Sequence, residues 1–222
     1  MAILSFVRKH KDLGLTGSFT KWYDKNTRET RLDEMREYAK EVTRHIKDGA
    51  SVLEVAPGPG YMSIELAKMG NYTITGMDIS PDFVKICKTN AEKENVDVSF
   101  LEGNVSAMPF EANAFDFVFC SAAFKNFKEP VIALQEMHRV LKTGGIGLIV
   151  DMRRDVTKQG LAEEVDKISK PGFERFWVKN TFRNLARYAY VKEEFIEMIK
   201  QTSFEKYEIK ESGIGFYIYL YR

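Results

Sequence analysis

Short apolar runs alternate with amphipathic segments along most of the chain. Five runs have the length of buried strands, at residues 51–56, 72–77, 97–101, 115–120 and 145–151. Helical periodicity occupies most of the intervals between them, at residues 61–69, 81–93 and 129–141. This alternation predicts an α/β fold with a doubly wound, mostly parallel sheet covered by helices.

The end of the chain follows a different pattern. A predicted helix at 191–201 is followed by two alternating runs, at 207–210 and 215–221. The interval between these runs is too short for a helical crossover, so we expect them to pair antiparallel.

Two regions lie outside this alternation. Residues 1–48 contain a polar stretch at 16–30 and a predicted helix at 31–47, and we expect a helical cap there. Residues 152–190 follow the fifth strand directly, and we expect them to be a helical lid inserted into a Rossmann-like domain of residues 49–222. Ligands of open α/β sheets bind beyond the carboxyl ends of the strands, which is where this insert begins.

The turn after the first strand is the most informative segment. Residues 56–60 are only Ala, Pro and Gly, and a helix is predicted to start at once. In such a turn the backbone approaches a ligand closely. Eighteen residues past Gly60, Asp78 closes the second apolar run, where its carboxylate can accept hydrogen bonds from a ribose diol. The spacing predicts a cofactor that contains a nucleoside.

The glycines alone do not identify this cofactor. Gly58-x-Gly60-x-x-Ser63 nearly fits the dinucleotide fingerprint, which keeps an NAD(P)-dependent oxidoreductase open as an alternative. Glu54 argues against it, because a carboxylate two residues before the turn would repel a pyrophosphate. The same carboxylate is well placed to receive a cationic amino group.

Residues 54–60 read Glu-x-Ala-x-Gly-x-Gly, which resembles motif I of the class I S-adenosylmethionine (SAM)-dependent methyltransferases. Segments 103–110, 115–119 and 138–145 resemble later motifs of the same superfamily. The resemblance covers about residues 50–151, and it is closest to the small-molecule branch that includes ubiquinone and menaquinone methyltransferases. It implies a seven-stranded sheet of order 3-2-1-4-5-7-6 with an antiparallel last strand. It also implies SAM as methyl donor and S-adenosylhomocysteine as product.

The resemblance implies cofactor contacts at Glu54, Ala56, Gly58, Gly60, Asp78, Ile79, Asn104, Val105 and Ser121. Ala56 replaces the first glycine of the motif and is expected to keep a negative φ, as residues with a Cβ prefer. Asn104 replaces the usual Asp, although its carbonyl oxygen can still accept a hydrogen bond. Because of these two departures, a SAM-binding protein without transferase activity is a second alternative.

The expected acceptor residues follow the fourth and fifth strands: Phe124, Lys125, Arg153 and Arg183. Lys125 would bind an anionic group or accept a proton, whereas Phe124 fits core packing as well as a substrate wall. Arg183 belongs to a predicted helical ridge with a basic residue at every fourth position, from Arg175 to Arg187. This ridge favours an anionic, partly apolar acceptor, and a solvated helix face is the other interpretation. Tyr23 is a predicted lid residue and, with Lys125, a weak catalytic candidate.

Composition narrows the partners further. The chain has 33 basic and 32 acidic residues, which argues against nucleic acid. Two cysteines form no disulfide framework and indicate a cytoplasmic protein, and three scattered histidines predict no metal site. No apolar run is long enough to span a membrane. We therefore expect a cytoplasmic SAM-dependent methyltransferase with a small-molecule acceptor, of a type and an oligomeric state that the sequence does not specify.

Overall fold

The computed structural model describes residue 12, residues 14–168 and residues 173–222. Of the predicted cap at 1–48, the structure therefore describes residue 12 and residues 14–48. The seven strands are β1 (Ser51–Val55), β2 (Thr73–Asp78), β3 (Ser99–Glu102), β4 (Phe115–Ser121), β5 (Leu141–Met152), β6 (Lys206–Ser212) and β7 (Gly215–Tyr221). The α-helices within the described residues are α1 (Ser18–Thr30), α2 (Leu32–Thr43), α3 (Tyr61–Ala67), α4 (Pro81–Glu94), α5 (Pro130–Val140), α6 (Lys158–Ile168), α7 (Phe173–Ala186) and α8 (Lys192–Ile199).

The strands form a single sheet of order β3-β2-β1-β4-β5-β7-β6. Neighbouring strands from β3 to β5 pair in parallel, whereas β7 pairs antiparallel with both β5 and β6. The predicted fold class and strand order are confirmed. The chain winds outward in opposite directions from β1 and β4, so the carboxyl ends of these two strands form the switch point where α/β sheets bind ligands.

Alternating residues of the strands supply a hydrophobic core on each face of the sheet. Leu53 on β1 packs with residues of α5 and α8, whereas its neighbour Val52 packs with residues of α2, α3 and α4. Phe117 and Val118 on β4 divide between the two faces in the same way. This period of two fixes which residues reach the strand ends and which remain in the core.

The structure differs from the sequence prediction in two places. The polar stretch at 16–30 forms α1, whose polar side chains bind partners elsewhere in the fold. Strand β5 begins at Leu141 rather than at 145, because Leu141 already pairs with Phe115 across an irregularity in the β4–β5 ladder.

Candidate functional site

The turn after β1 is built from backbone with positive φ. Ala56 has φ 56°, Gly58 φ 55° and Gly60 φ 82°. The expectation that Ala56 keeps a negative φ is therefore wrong. Its N–H donates to the carbonyl of Met77 on β2 at 2.8 Å, and this contact holds the residue in the left-handed region despite its Cβ. Strain of this kind in residues other than glycine concentrates at functional sites.

Each glycine of the turn lies against a neighbouring element. A Cβ on Gly60 would lie 3.0 Å from Cys87 Sγ on α4 and 3.0 Å from Phe100 Cζ on β3. A Cβ on Gly58 would lie 3.7 Å from the ring of Tyr23 on α1. Close packing thus requires glycine at Gly60, and the Tyr23 ring lies beside the turn.

Asp78 ends β2 and faces the turn. Its Oδ2 accepts the N–H of Gly58 at 3.1 Å, and its Oδ1 accepts the N–H of Ser80 at 2.9 Å. Burial raises the pKa of this carboxyl above its ordinary value, while these two N–H donors oppose that shift. The side chain of Ser80 caps α4 by accepting the N–H of Phe83 at 3.2 Å. The cap therefore fixes the loop that carries Asp78 and the half-buried Ile79.

Glu54 lies buried beneath the same turn. Its Oε2 accepts both the N–H and the hydroxyl of Ser63, at 3.1 and 2.5 Å. Burial raises the pKa of Glu54 to about 7. Its Oε1 accepts no hydrogen bond from the residues that the structure describes. One oxygen thus anchors α3, and the other remains available to a donor such as an ammonium group.

The loop after β3 carries Asn104 and Val105. The carbonyl oxygen of Asn104 accepts the N–H of Ser106 at 2.8 Å, and Val105 is buried. The Ser106 hydroxyl is buried and has no hydrogen-bond partner among the residues that the structure describes. Buried polar groups are normally paired, so this hydroxyl is a feature that a bound ligand would explain.

A hydrogen-bond network that the sequence analysis missed joins the cap to the turn. Tyr61, directly after Gly60, donates its hydroxyl proton to Asp24 Oδ1 at 2.7 Å and accepts from Arg28 Nε at 2.7 Å. Asn90 on α4 donates to the same Asp24 oxygen at 2.9 Å and to the carbonyl of Pro59 at 3.0 Å. Burial raises the pKa of Tyr61 to about 12, so the phenol keeps its proton. The network fixes α1, and with it Tyr23, beside the turn.

The carboxyl end of β4 has a different construction. Lys125 follows in a short 3-10 helix (Phe124–Asn126), and its buried ammonium lies 2.7 Å from Asp151 Oδ1 on β5. Asp151 Oδ2 accepts the backbone N–H of Lys125 at 2.9 Å, and the carbonyl of Ala122 accepts Lys125 Nζ at 2.6 Å. Ala122 has φ 55°. The sequence analysis missed Asp151, although its position at the end of a predicted strand was a usable signal.

Two more predicted residues near the end of β4, Phe124 and Ser121, differ in burial. Phe124 is fully buried in a cluster with Phe127, Tyr190 and Phe195, which agrees with its interpretation as core packing. Ser121 is half-buried at the end of β4, opposite Val150.

The two candidate arginines have different surroundings. Arg153 binds the carboxylates of Asp155 and Glu211, and its guanidinium lies 5.1 Å from the ring centroid of Phe216. Its charge is therefore already paired. Arg183 is exposed on the last turn of α7 and, among the described residues, makes no ion pair.

Neither a membrane-spanning helix nor a metal site is found in the part of the chain that the structure describes. No helix there combines the length and apolarity needed to cross a bilayer. The same residues contain no group of three or more His, Cys, Asp or Glu side chains able to hold a metal ion.

Comparison with known proteins finds a family match for the central part of the chain. The family described as a methyltransferase domain matches residues 53–149. Over 164 residues the chain is 30% identical to a demethylmenaquinone methyltransferase of Chlorobaculum tepidum, a match that covers 71% of this chain and 66% of that protein. The corresponding protein of Staphylococcus haemolyticus is 29% identical, with 72% and 64% covered. The chain thus spans just under two thirds of the length of these curated relatives.

Solved structures share the fold across nearly the whole chain. A SAM-dependent methyltransferase from Aquifex aeolicus superposes with a TM-score of 0.67 at 19% identity, covering 93% of this chain and 98% of that one. The sheet order, the strained glycine-rich turn and the Asp78 carboxylate agree with the family match. Residues 53–149 therefore match a methyltransferase domain, and the chain resembles the class I SAM-dependent methyltransferases in sequence and fold.

Proposed function

We propose that this chain binds SAM at the carboxyl ends of β1 and β2 and transfers its methyl group to a small-molecule acceptor. The observation that carries the proposal is the placement of Asp78, whose buried carboxylate faces the Gly58 turn from the end of the adjacent strand. A ribose diol is the ligand chemistry that suits a carboxylate in this position.

Other described residues fit the remaining parts of such a ligand. The unpaired Oε1 of Glu54 suits the amino group of the methionine moiety. Ile79 and the Asn104 loop suit the adenine. The buried hydroxyl of Ser106 belongs to the same loop and has no partner among the described residues. At Gly58 and Gly60 the backbone carries no side chain that would hold a ligand away.

Bound SAM supplies a methyl group attached to a sulfonium. The sulfur is the leaving group, and it needs no protonation. The protein mainly has to align the acceptor atom with the methyl group and exclude water, so catalysis rests largely on proximity. The Asp24–Tyr61–Arg28 network would hold the cap and Tyr23 over this cleft. Ser121 and the strained Ala122 would form the wall at the end of β4.

The acceptor is the less defined half of the reaction. The curated relatives are named for demethylmenaquinone, which supports a small-molecule acceptor and makes this quinone the first to test. Arg183 is our candidate for an anionic group of the acceptor. For Lys125 we propose a positioning role at the cleft wall, since Asp151 already pairs its ammonium.

Calorimetric titration with SAM and S-adenosylhomocysteine tests the cofactor. Asp78→Ala should weaken binding by about 1–3 kcal/mol, because ligand hydroxyls lose their acceptor. Asp116→Ala is the matched control: Asp116 also accepts a backbone N–H, that of Ser51 at 2.8 Å, but it lies at the amino end of β4. Equal losses in both variants, or tighter binding of NADH than of SAM, would refute the assignment.

Transfer of a labelled methyl group from SAM to demethylmenaquinone tests the activity separately. Turnover that Asp78→Ala reduces would support the full proposal. Tight SAM binding without transfer to this quinone or to a panel of phenolic and carboxylic acceptors would indicate a SAM-binding protein without transferase activity.

A further inference from the structure

The insert after β5 encloses a cavity of about 470 Å³ between the strand exit and helices α6 and α7, which pack against each other. Most of the residues that line it are basic: Arg154, Lys158, Lys179, Arg183 and Arg187. Among the described residues, no acidic side chain lines it.

The charges in this cavity are largely uncompensated. Arg154 pairs with Glu194 at 2.6 Å and also donates to the carbonyl of Ala189. The side chains of the other four basic residues make no hydrogen bond or ion pair in the part of the chain that the structure describes. Like charges around a concave surface repel each other and focus a positive potential into it. Such a surface attracts a counter-anion.

The arrangement on α7 separates this cavity from an ordinary solvated helix face. Lys179, Arg183 and Arg187 follow each other at four-residue intervals, so they project from one side of the helix. Arg175 continues the same interval in sequence, but it donates to Asp166 on α6 and does not line the cavity. On α7, the basic residue outside the cavity is therefore neutralised, whereas the three that line the cavity have unpaired side chains.

The floor of the cavity is apolar. Val156, Leu161 and Ala186 line it, and Leu161 and Ala186 are buried. An anion site for free salt ions would not need such a floor. The planar fork of a guanidinium group can donate two hydrogen bonds to a pair of phosphate or carboxylate oxygens, which an ammonium group does less well. Three of the five basic residues are arginines.

We propose that this groove is a binding site for an oxyanion group of the phosphate-ester class, attached to an apolar body. It lies beyond residues 53–149, and its ability to bind an anion does not require methyl transfer. The group has two possible sources: a free phosphate ester or the headgroup of an anionic lipid.

The test is a calorimetric titration of the full chain with inorganic pyrophosphate at low ionic strength. Saturable binding is expected, and the double variant Arg183→Gln/Arg187→Gln should weaken it about tenfold or more. The control, Lys206→Gln/Lys210→Gln, also removes two positive charges, but from the exposed strand β6. It should leave the affinity nearly unchanged.

A parallel arm separates the two sources. Sedimentation with vesicles of phosphatidylglycerol, against vesicles of phosphatidylcholine, measures lipid binding by the same three proteins. Binding to phosphatidylglycerol that requires Arg183 and Arg187 assigns the site to a headgroup. Pyrophosphate binding without vesicle binding assigns it to a free ester.

Two results would overturn the proposal: equal weakening in both double variants, or no saturable binding of either probe. SAM titration of Arg183→Gln/Arg187→Gln keeps the two proposals apart. Loss of pyrophosphate binding with intact SAM affinity concerns the groove alone. Failure of the wild-type protein to bind SAM would refute only the proposed methyltransferase function.

Discussion

The strand ends at β1 and β4 are adjacent in the sheet, and each is followed by an alanine with positive φ, Ala56 or Ala122. They differ in how they accommodate buried charge. At the turn after β1, Glu54 on β1 and Asp78 at the end of β2 accept hydrogen bonds from N–H and hydroxyl groups and have no cationic partner among the described residues. After β4, Lys125 and Asp151 neutralise each other.

This difference indicates separate roles for the two ends. Acids that accept only neutral donors retain unbalanced charge, and a cationic or hydroxyl-rich ligand can use it. A pair that is already neutral contributes shape and rigidity instead. Replacements at the two ends should therefore have different signatures, one mainly in binding and the other mainly in stability.

The largest stability effect is expected at the β4 end. Asp151→Ala leaves the ammonium of Lys125 buried without its partner, which should lower the free energy of unfolding by about 3–5 kcal/mol. Asp78→Ala leaves only backbone N–H groups unpaired and should cost about 1–3 kcal/mol. Urea unfolding of both variants measures the difference.

The double variant Lys125→Met/Asp151→Leu provides the control for this experiment. It removes both charges together and should recover much of the loss. If Asp151→Ala costs no more than Asp78→Ala, the proposed distinction between the two ends fails.

The second prediction concerns pH at the β1 end. The pKa of Glu54 is about 7 in the folded chain, against its ordinary 4.5. Between these values the folded chain holds a proton that the unfolded chain has released. The contribution of Glu54 to stability therefore falls as pH rises from about 4.5 to 7 and is constant above, with a total change of about 3 kcal/mol.

Glu54→Gln isolates this contribution from all other titrating groups. The amide oxygen still accepts from Ser63, but the side chain no longer titrates. Denaturant unfolding at several pH values from 5 to 8 should show that wild type loses stability relative to the variant as pH rises. A constant difference between the two proteins would contradict the assigned pKa.

The smallest effect tests what the two ends share. Ala56→Gly and Ala122→Gly should each relieve about 1–2 kcal/mol of left-handed strain. The greater entropy of glycine in the unfolded chain offsets about 0.5–1 kcal/mol of this gain. A net stabilisation of about 0.5–1 kcal/mol is expected, seen as a higher denaturation midpoint at an unchanged slope.

Ala133→Gly, in the regular helix α5, is the control for the backbone effect. It should destabilise by about 1 kcal/mol, because a helical alanine has no strain to relieve. Destabilisation of similar size at Ala56 would mean that its Cβ contributes packing that outweighs the strain.

Features that depend on local pattern could be predicted from the sequence. The period of apolar residues gave the strands, and the family resemblance gave their order. The place of Asp78 at a strand end beside the turn followed from spacing alone. The strands and the position of Asp78 are local features, because each depends on a short stretch of the chain.

Features that depend on contacts between distant segments could not be predicted. Asp151 reaches Lys125 only because β5 pairs with β4, and the sign of φ at Ala56 is set by a hydrogen bond to β2. The polar stretch at 16–30 shows no apolar period strong enough to predict a helix. Its polar side chains find partners only in the finished fold, such as Tyr61 and Asn90.

The network between the cap and the turn has a consequence for synthesis on the ribosome. Asp24 on α1 and Asn90 on α4 are 66 residues apart. At about 5–20 residues per second, Asn90 is therefore synthesised about 3–13 s after Asp24. During that interval α1 lacks the part of its docking surface that α4 supplies. Full protection of α1 from protease should therefore follow the emergence of α4, although α1 itself emerges earlier.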